Sequence, residues 1–101
     1  MEIQVKSADR NLLLEITGEL DHHGAKNALR ELERAIDANL PIRLVLDMEG
    51  VTFMDSSGIA FILRAQQRMQ LMDGSLLVCH VPQQAKRVLD AAGINRLVTI
   101  K

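Results

Sequence analysis

The chain has 101 residues, of which 48% are hydrophobic and 25% charged, and twelve Lys and Arg face thirteen Asp and Glu. This length and balance predict one folded domain over residues 1–101 and argue against intrinsic disorder. A formal net charge of -1 and only two aromatic residues argue against a nucleic acid as partner, because such domains are usually basic and stack bases on aromatic rings.

The first half of the sequence predicts a hairpin followed by a helix. Residues 3–6 alternate between apolar and polar, which predicts a first strand with one face in water. Leu12–Thr17 predicts a second strand after a short turn. So short a connection implies an antiparallel pair. The segment Gly18–Asp21 breaks the second strand, and its aspartate is the expected N-cap of a helix that runs to about Asn39.

The second half alternates strands and helices. Ile42–Met48 predicts a strand covered on both faces, because three of its apolar residues follow one another. The remaining elements are expected to be a loop at Glu49–Met54, a helix from Asp55 to about Met72, a strand at Leu76–Cys79, a helix from Pro82 to Gly93, which buries Ala92, and a strand at Leu97–Ile100. The order β-β-α-β-α-β-α-β predicts an α/β fold with a mixed sheet, in which an antiparallel hairpin precedes parallel strands and the helices pack on the sheet.

The sequence lacks the motifs of several chemistries. It contains neither a glycine-rich phosphate loop nor the GxSxG elbow of hydrolases, and one cysteine with three histidines gives no zinc spacing. Cys79 is interpreted as a small core residue. His22 or His23 could serve as a base for Ser57 in a small hydrolase, but two polar residues in an exposed first helical turn are the simpler interpretation.

These absences define further expectations. No uncharged stretch is long enough to cross a bilayer, and the N-terminus has no signal pattern. We therefore expect a cytoplasmic protein that is not an enzyme, with no cofactor, no bound metal ion and no membrane association.

The segment Phe53–Ile59 places two hydroxyl groups between a predicted strand and a predicted helix. By residue chemistry alone, Asp55, Ser56 or Ser57 is most simply a helix cap. A serine at this junction also lies near the positive end of a helix dipole, where another protein can reach it. Such a position suits a phosphorylation switch, which adds about -1.5 to -2 charges at one point.

Three segments together resemble the bacterial anti-sigma factor antagonists, which are single STAS domains. They are Thr17–His23 (TGELDHH), the apolar strand Ile42–Met48, and Phe53–Ile59 (FMDSSGI). The likeness runs from Glu2 to Ile100 and preserves the order of elements. The first segment is most similar to the sporulation type.

This resemblance implies a switch between partners. In the family, the unphosphorylated protein binds an anti-sigma factor that is also a serine kinase, and the sigma factor is released. The kinase uses ATP to phosphorylate the serine that follows the aspartate of the motif, here Ser56 and not Ser57, and a serine phosphatase reverses the step. The implied partner contacts are Asp21, His22, His23, Asp55, Ser56, Ser57 and Gly58.

Two alternatives stay open beside this expectation: the small hydrolase built on Ser57 with His22 or His23, and a STAS scaffold. A STAS scaffold in a stress-signalling or lipid-transport complex would share the fold without being phosphorylated, although Ser56 directly after Asp55 weighs against it. Family members often carry a further C-terminal helix, whereas this sequence ends at Lys101. An apolar patch left uncovered there could hold a second copy, so we expect a monomer or a weak dimer.

Overall fold

The computed structural model describes residues 1–101 and confirms the predicted order of strands and helices. The elements are β1 (Glu2–Ala8), β2 (Asn11–Leu20), α1 (His22–Asn39), β3 (Arg43–Met54), α2 (Ser56–Leu71), β4 (Ser75–Cys79), α3 (Gln83–Ala91), a 3₁₀ turn (Ile94–Arg96) and β5 (Thr99–Ile100). The five strands form one sheet in the order β1-β2-β3-β4-β5. Only β1 and β2 pair antiparallel, so the predicted mixed sheet is confirmed.

Strands β2 and β3 are longer than the sequence predicted. The predicted strand break at residues 18–21 and the predicted loop at residues 49–54 are wrong, because the two strands continue side by side as far as Leu20 and Met54. The register shifts twice along this stretch. Such bulges interrupt the alternation of apolar and polar side chains while the strands stay paired, which is why the pattern suggested an early end.

The helices cover one face of the sheet. Leu14, Leu46 and Val78 are aligned in register across β2, β3 and β4 and are fully buried. Val45 and Leu77 point to the opposite face and are only half-buried. The expectation that β3 is covered on both faces is therefore wrong. Right-handed crossovers in a sheet whose order never reverses lead every helix to the same side.

The remaining elements differ from prediction mainly at their ends. Helix α2 ends at Leu71, close to the predicted end at about Met72, and Asp73 two residues later is left-handed, with φ 54°. Helix α3 is shorter than predicted, and Ala92 is exposed rather than buried. Val5 on the edge strand β1 is 44% exposed, so the apolar side of that strand is only partly covered. None of the helices combines the length and the apolar character needed to cross a membrane.

Candidate functional site

Asp21 and Asp55 follow two neighbouring strands at the same edge of the sheet. Strands β2 and β3 run parallel and end in register, with Leu20 paired to Met54. The Asp55 N–H donates to the Leu20 carbonyl at 3.4 Å, which ties the two strand ends together. Helices α1 and α2 each begin directly after their aspartate. The segments Thr17–His23 and Phe53–Ile59 are therefore neighbours in space.

Both aspartates act as helix caps. Oδ1 of Asp21 accepts a backbone N–H in the first turn of α1 at 2.8 Å. Oδ1 of Asp55 accepts the N–H of Ser57 at 2.8 Å, and its carbonyl accepts the N–H of Gly58 at 3.0 Å. Among the three cap candidates in this segment, Asp55 is thus the cap of α2, and the hydroxyl of Ser56 is not needed for it.

The three residues after Asp55 differ in exposure. Ser56 is the first residue of α2 and is exposed, Ser57 is half-buried, and Gly58 is buried. A side chain at position 58 would collide with the Met54 side chain, so the start of α2 lies directly against the end of β3. Another protein can therefore reach the hydroxyl of Ser56 more easily than that of Ser57.

Gln84 of α3 fixes the end of β3 and was missed in the sequence. Its side-chain amide accepts the N–H of Met54 and donates to the carbonyl of the same residue, both at 2.8 Å. Strand β4 pairs with β3 only as far as Asp47. At Met54 the side chain of Gln84 therefore makes the hydrogen bonds that a neighbouring strand would otherwise make. The two residues are 30 positions apart, and one glutamine carries no motif, so the sequence offered no signal for this contact.

The two histidines line different hollows at this edge. His22 and Ser57 share a groove of about 320 Å³ between α1 and α2, whose other lining residues are Ala25, Lys26, Leu29, Ala60 and Phe61. His23 lines a second hollow, of about 350 Å³, together with Asp21. His22 and Ser57 both line the first groove, but they do not form the hydrogen bond between base and nucleophile that a hydrolase requires.

Cys79 is half-buried on the open face of the sheet rather than part of the core. Burial raises the pKa of its thiol, and the nearby negative charge of Asp47 raises it further. A nucleophilic cysteine needs the opposite shift, toward the thiolate at neutral pH. The side chain is therefore not an activated nucleophile.

Comparison with known proteins identifies the family. The model of the STAS domain matches residues 2–101. The chain belongs to the STAS-domain family. One relative of this STAS domain is the anti-sigma F factor antagonist of Paenibacillus polymyxa, which is 29% identical over 100 residues, covering 99% of this chain and 86% of that protein.

Solved structures share the fold of this STAS domain. The unphosphorylated form of the anti-sigma factor antagonist SpoIIAA superimposes with a TM-score of 0.83, at 21% identity, over 99% of this chain and 88% of the other. The Bacillus cell fate determinant SpoIIAA in its phosphorylated form gives a TM-score of 0.74, also at 21% identity, over 99% and 91% of the two chains. At this level of identity the likeness shows the common fold.

Proposed function

We propose that this STAS domain is an anti-sigma factor antagonist. Its unphosphorylated form binds an anti-sigma factor that is also a serine kinase, and the sigma factor is thereby released. The observation that carries this proposal is the exposed Ser56 at the start of α2, directly after the cap Asp55 and beside the segment Thr17–His23. The name of the Paenibacillus relative supports the same function. The domain acts by binding in the cytoplasm and not as an enzyme.

The proposed partner surface is the sheet edge where α1 and α2 begin. Its residues are Asp21, His22, His23, Asp55, Ser56 and Ser57. Gly58, the seventh expected contact, is buried against Met54 and lets α2 begin close to β3 instead of lying on this surface. The groove between the two helices continues this surface and adds the half-buried side chain of Leu29 and the exposed ammonium group of Lys26. An apolar floor with a few polar groups at its rim is a common form of binding surface.

Ser56 is the proposed phosphorylation site. It directly follows Asp55, as in the family motif, and it is the more exposed of the two serines. The phosphorylated state of SpoIIAA gives a precedent in a protein of the same fold. A serine phosphatase that removes the phosphate would return this domain to its binding form.

Phosphate on Ser56 would weaken binding through charge and bulk. It would lie beside the carboxylate of Asp55, and the N–H groups of Ser57 and Gly58 already donate to that residue. Few donors of the helix start therefore remain to hold the phosphate. A docking partner would have to remove water from this charge, and an uncompensated buried charge is strongly unfavourable.

Phosphate mapping tests the proposed acceptor. After incubation with the anti-sigma kinase and ATP, we expect one phosphate on Ser56 in the wild type. The matched variant Ser57→Ala should accept it equally, and Ser56→Ala should accept none. Peptide mapping by mass spectrometry distinguishes the two sites, and a phosphate wholly on Ser57 would contradict the assignment. A wild type that binds its partner but is never phosphorylated would favour the unphosphorylated STAS scaffold.

A further inference from the structure

Three side chains of metal-ligand type meet on the open face of the sheet. Asp47 and Cys79 are paired neighbours at the end of the β3–β4 ladder, and His80 follows directly. Nδ1 of His80 lies 3.1 Å from Oδ1 of Asp47 and 3.8 Å from Sγ of Cys79. The ligand atoms of all three residues lie within 4.8 Å of one another. Along β3 this cluster is roughly 20 Å from the edge that carries Asp55.

His80 reaches this cluster because the backbone turns sharply after β4. Consecutive residues of a strand point to opposite faces, so a regular continuation would direct His80 away from the thiol of Cys79. Instead His80 adopts a φ of 54°. The turn ends the strand and brings the ring beside Cys79 and Asp47.

The same ring nitrogen faces both the carboxylate and the thiol. In a relay of nucleophile, histidine and aspartate, the two partners contact different ring nitrogens, so this arrangement is not such a relay. A metal ion requires donors that converge on one point. Ligands about 2.0–2.3 Å from a tetrahedral zinc ion are separated by roughly 3.3–3.6 Å. The two separations from Nδ1 of His80, 3.1 and 3.8 Å, lie close to that range, and the carboxylate of Asp47 lies within 4.8 Å of the thiol of Cys79.

We propose that Asp47, Cys79 and His80 form a binding site for a zinc ion. Thiolate, imidazole and carboxylate are the ligand types that zinc prefers, and three protein ligands leave a fourth position for water or another molecule. The cysteine binds as thiolate, so its proton is released to solvent when the zinc–sulfur bond forms. This site is independent of the function proposed for Ser56.

The surroundings of the cluster fit an open, accessible site. The side chain of Asp47 is 18% exposed and that of His80 is 63% exposed, so an ion can enter from solvent. The N–H of Glu49 donates to Oδ1 of Asp47 at 3.1 Å and holds the carboxylate in place. Such outer contacts orient the ligands of metal sites.

Calorimetric titration of zinc chloride into the reduced, metal-free full chain tests the site. We expect one ion per chain, bound at least about tenfold more weakly by Cys79→Ser and by His80→Ala. Asp47→Asn should also weaken binding, whereas the matched variant Asp90→Asn, which changes an exposed aspartate of α3, should not. Circular dichroism checks that each variant folds.

Cobalt absorbance gives a second readout that does not depend on heat. Bound Co²⁺ should show an intense thiolate-to-metal charge-transfer band in the wild type and in Asp90→Asn, and the band should be lost in Cys79→Ser. Equal zinc affinity in the wild type and Cys79→Ser would overturn the proposal. A wild type that binds neither ion would overturn it as well.

Discussion

Asp55 and Ser56 are neighbours with different tasks, and their contributions to stability should differ accordingly. Asp55→Ala removes the acceptor of the Ser57 N–H, so the free energy of unfolding should fall by about 0.5–2 kcal/mol. Ser56→Ala removes no cap and exposes no new surface, so the change should stay within about 0.5 kcal/mol. Urea denaturation of both variants measures the difference. An equal loss in the two would show that the cap is shared.

Sequence reasoning could find this segment but could not assign its cap. Asp55, Ser56 and Ser57 all carry an oxygen that can accept an N–H of the first helical turn. The choice depends on which backbone conformation the end of β3 imposes, and that conformation is set by the partner strand β2 and by Gln84. Both contacts are made by residues distant in the sequence, so the residue types of this segment do not reveal them.

At the scale of elements, β3 is the centre of the sheet and should dominate stability. Leu46 is fully buried in register with Leu14 and Val78. Leu46→Ala should lower the free energy of unfolding by about 2–5 kcal/mol, because it leaves a cavity under the helices. The control is Ile42→Ala, which changes a 49% exposed side chain just before the strand and should cost far less. An unchanged urea midpoint for Leu46→Ala would contradict the central position of β3.

The contact between α3 and the end of β3 should control local opening next to Ser56. Gln84→Ala leaves two backbone groups of Met54 without their partner, and each buried unsatisfied group costs about 1–3 kcal/mol. The Met54 amide should therefore exchange with solvent at least about tenfold faster. Gln83→Ala, at an exposed neighbouring position, is the matched control. Equal protection of this amide in both variants, measured by NMR hydrogen exchange, would show that the contact is dispensable.

Elements were easier to predict than their ends. The change of period from two to about 3.6 residues marks each switch from strand to helix, and five strands and three helices follow from it. The bulged ends of β2 and β3 break the two-residue period, so the ends of both strands were predicted too early. The apolar run Leu44–Leu46 predicted two covered faces. The sequence of one strand does not show that all the helices pack on the same side of the sheet, so this prediction was wrong.

At the scale of the whole molecule, the proposed partner surface and the proposed zinc site lie on different parts of the sheet. Asp21 and Asp55 lie at the same end of the parallel strands β2 and β3, and the family resemblance had implied that both contact the partner. The cluster of Asp47, Cys79 and His80 was not predicted, because its members belong to two strands and a left-handed turn. Nothing in the spacing of one cysteine and one histidine pointed to a carboxylate more than thirty positions away.

The central claim is that phosphate on Ser56 switches partner binding without refolding the domain. Isothermal calorimetry with the anti-sigma factor measures it most directly, using the unmodified protein, the Ser56-phosphorylated protein, Ser56→Asp and Ser56→Ala. Desolvating the added charge predicts a loss of at least about a hundredfold in affinity for the phosphorylated form. Ser56→Asp should lose part of the affinity, and Ser56→Ala should bind normally and resist the kinase. Equal affinities of the unmodified and phosphorylated proteins would contradict the account.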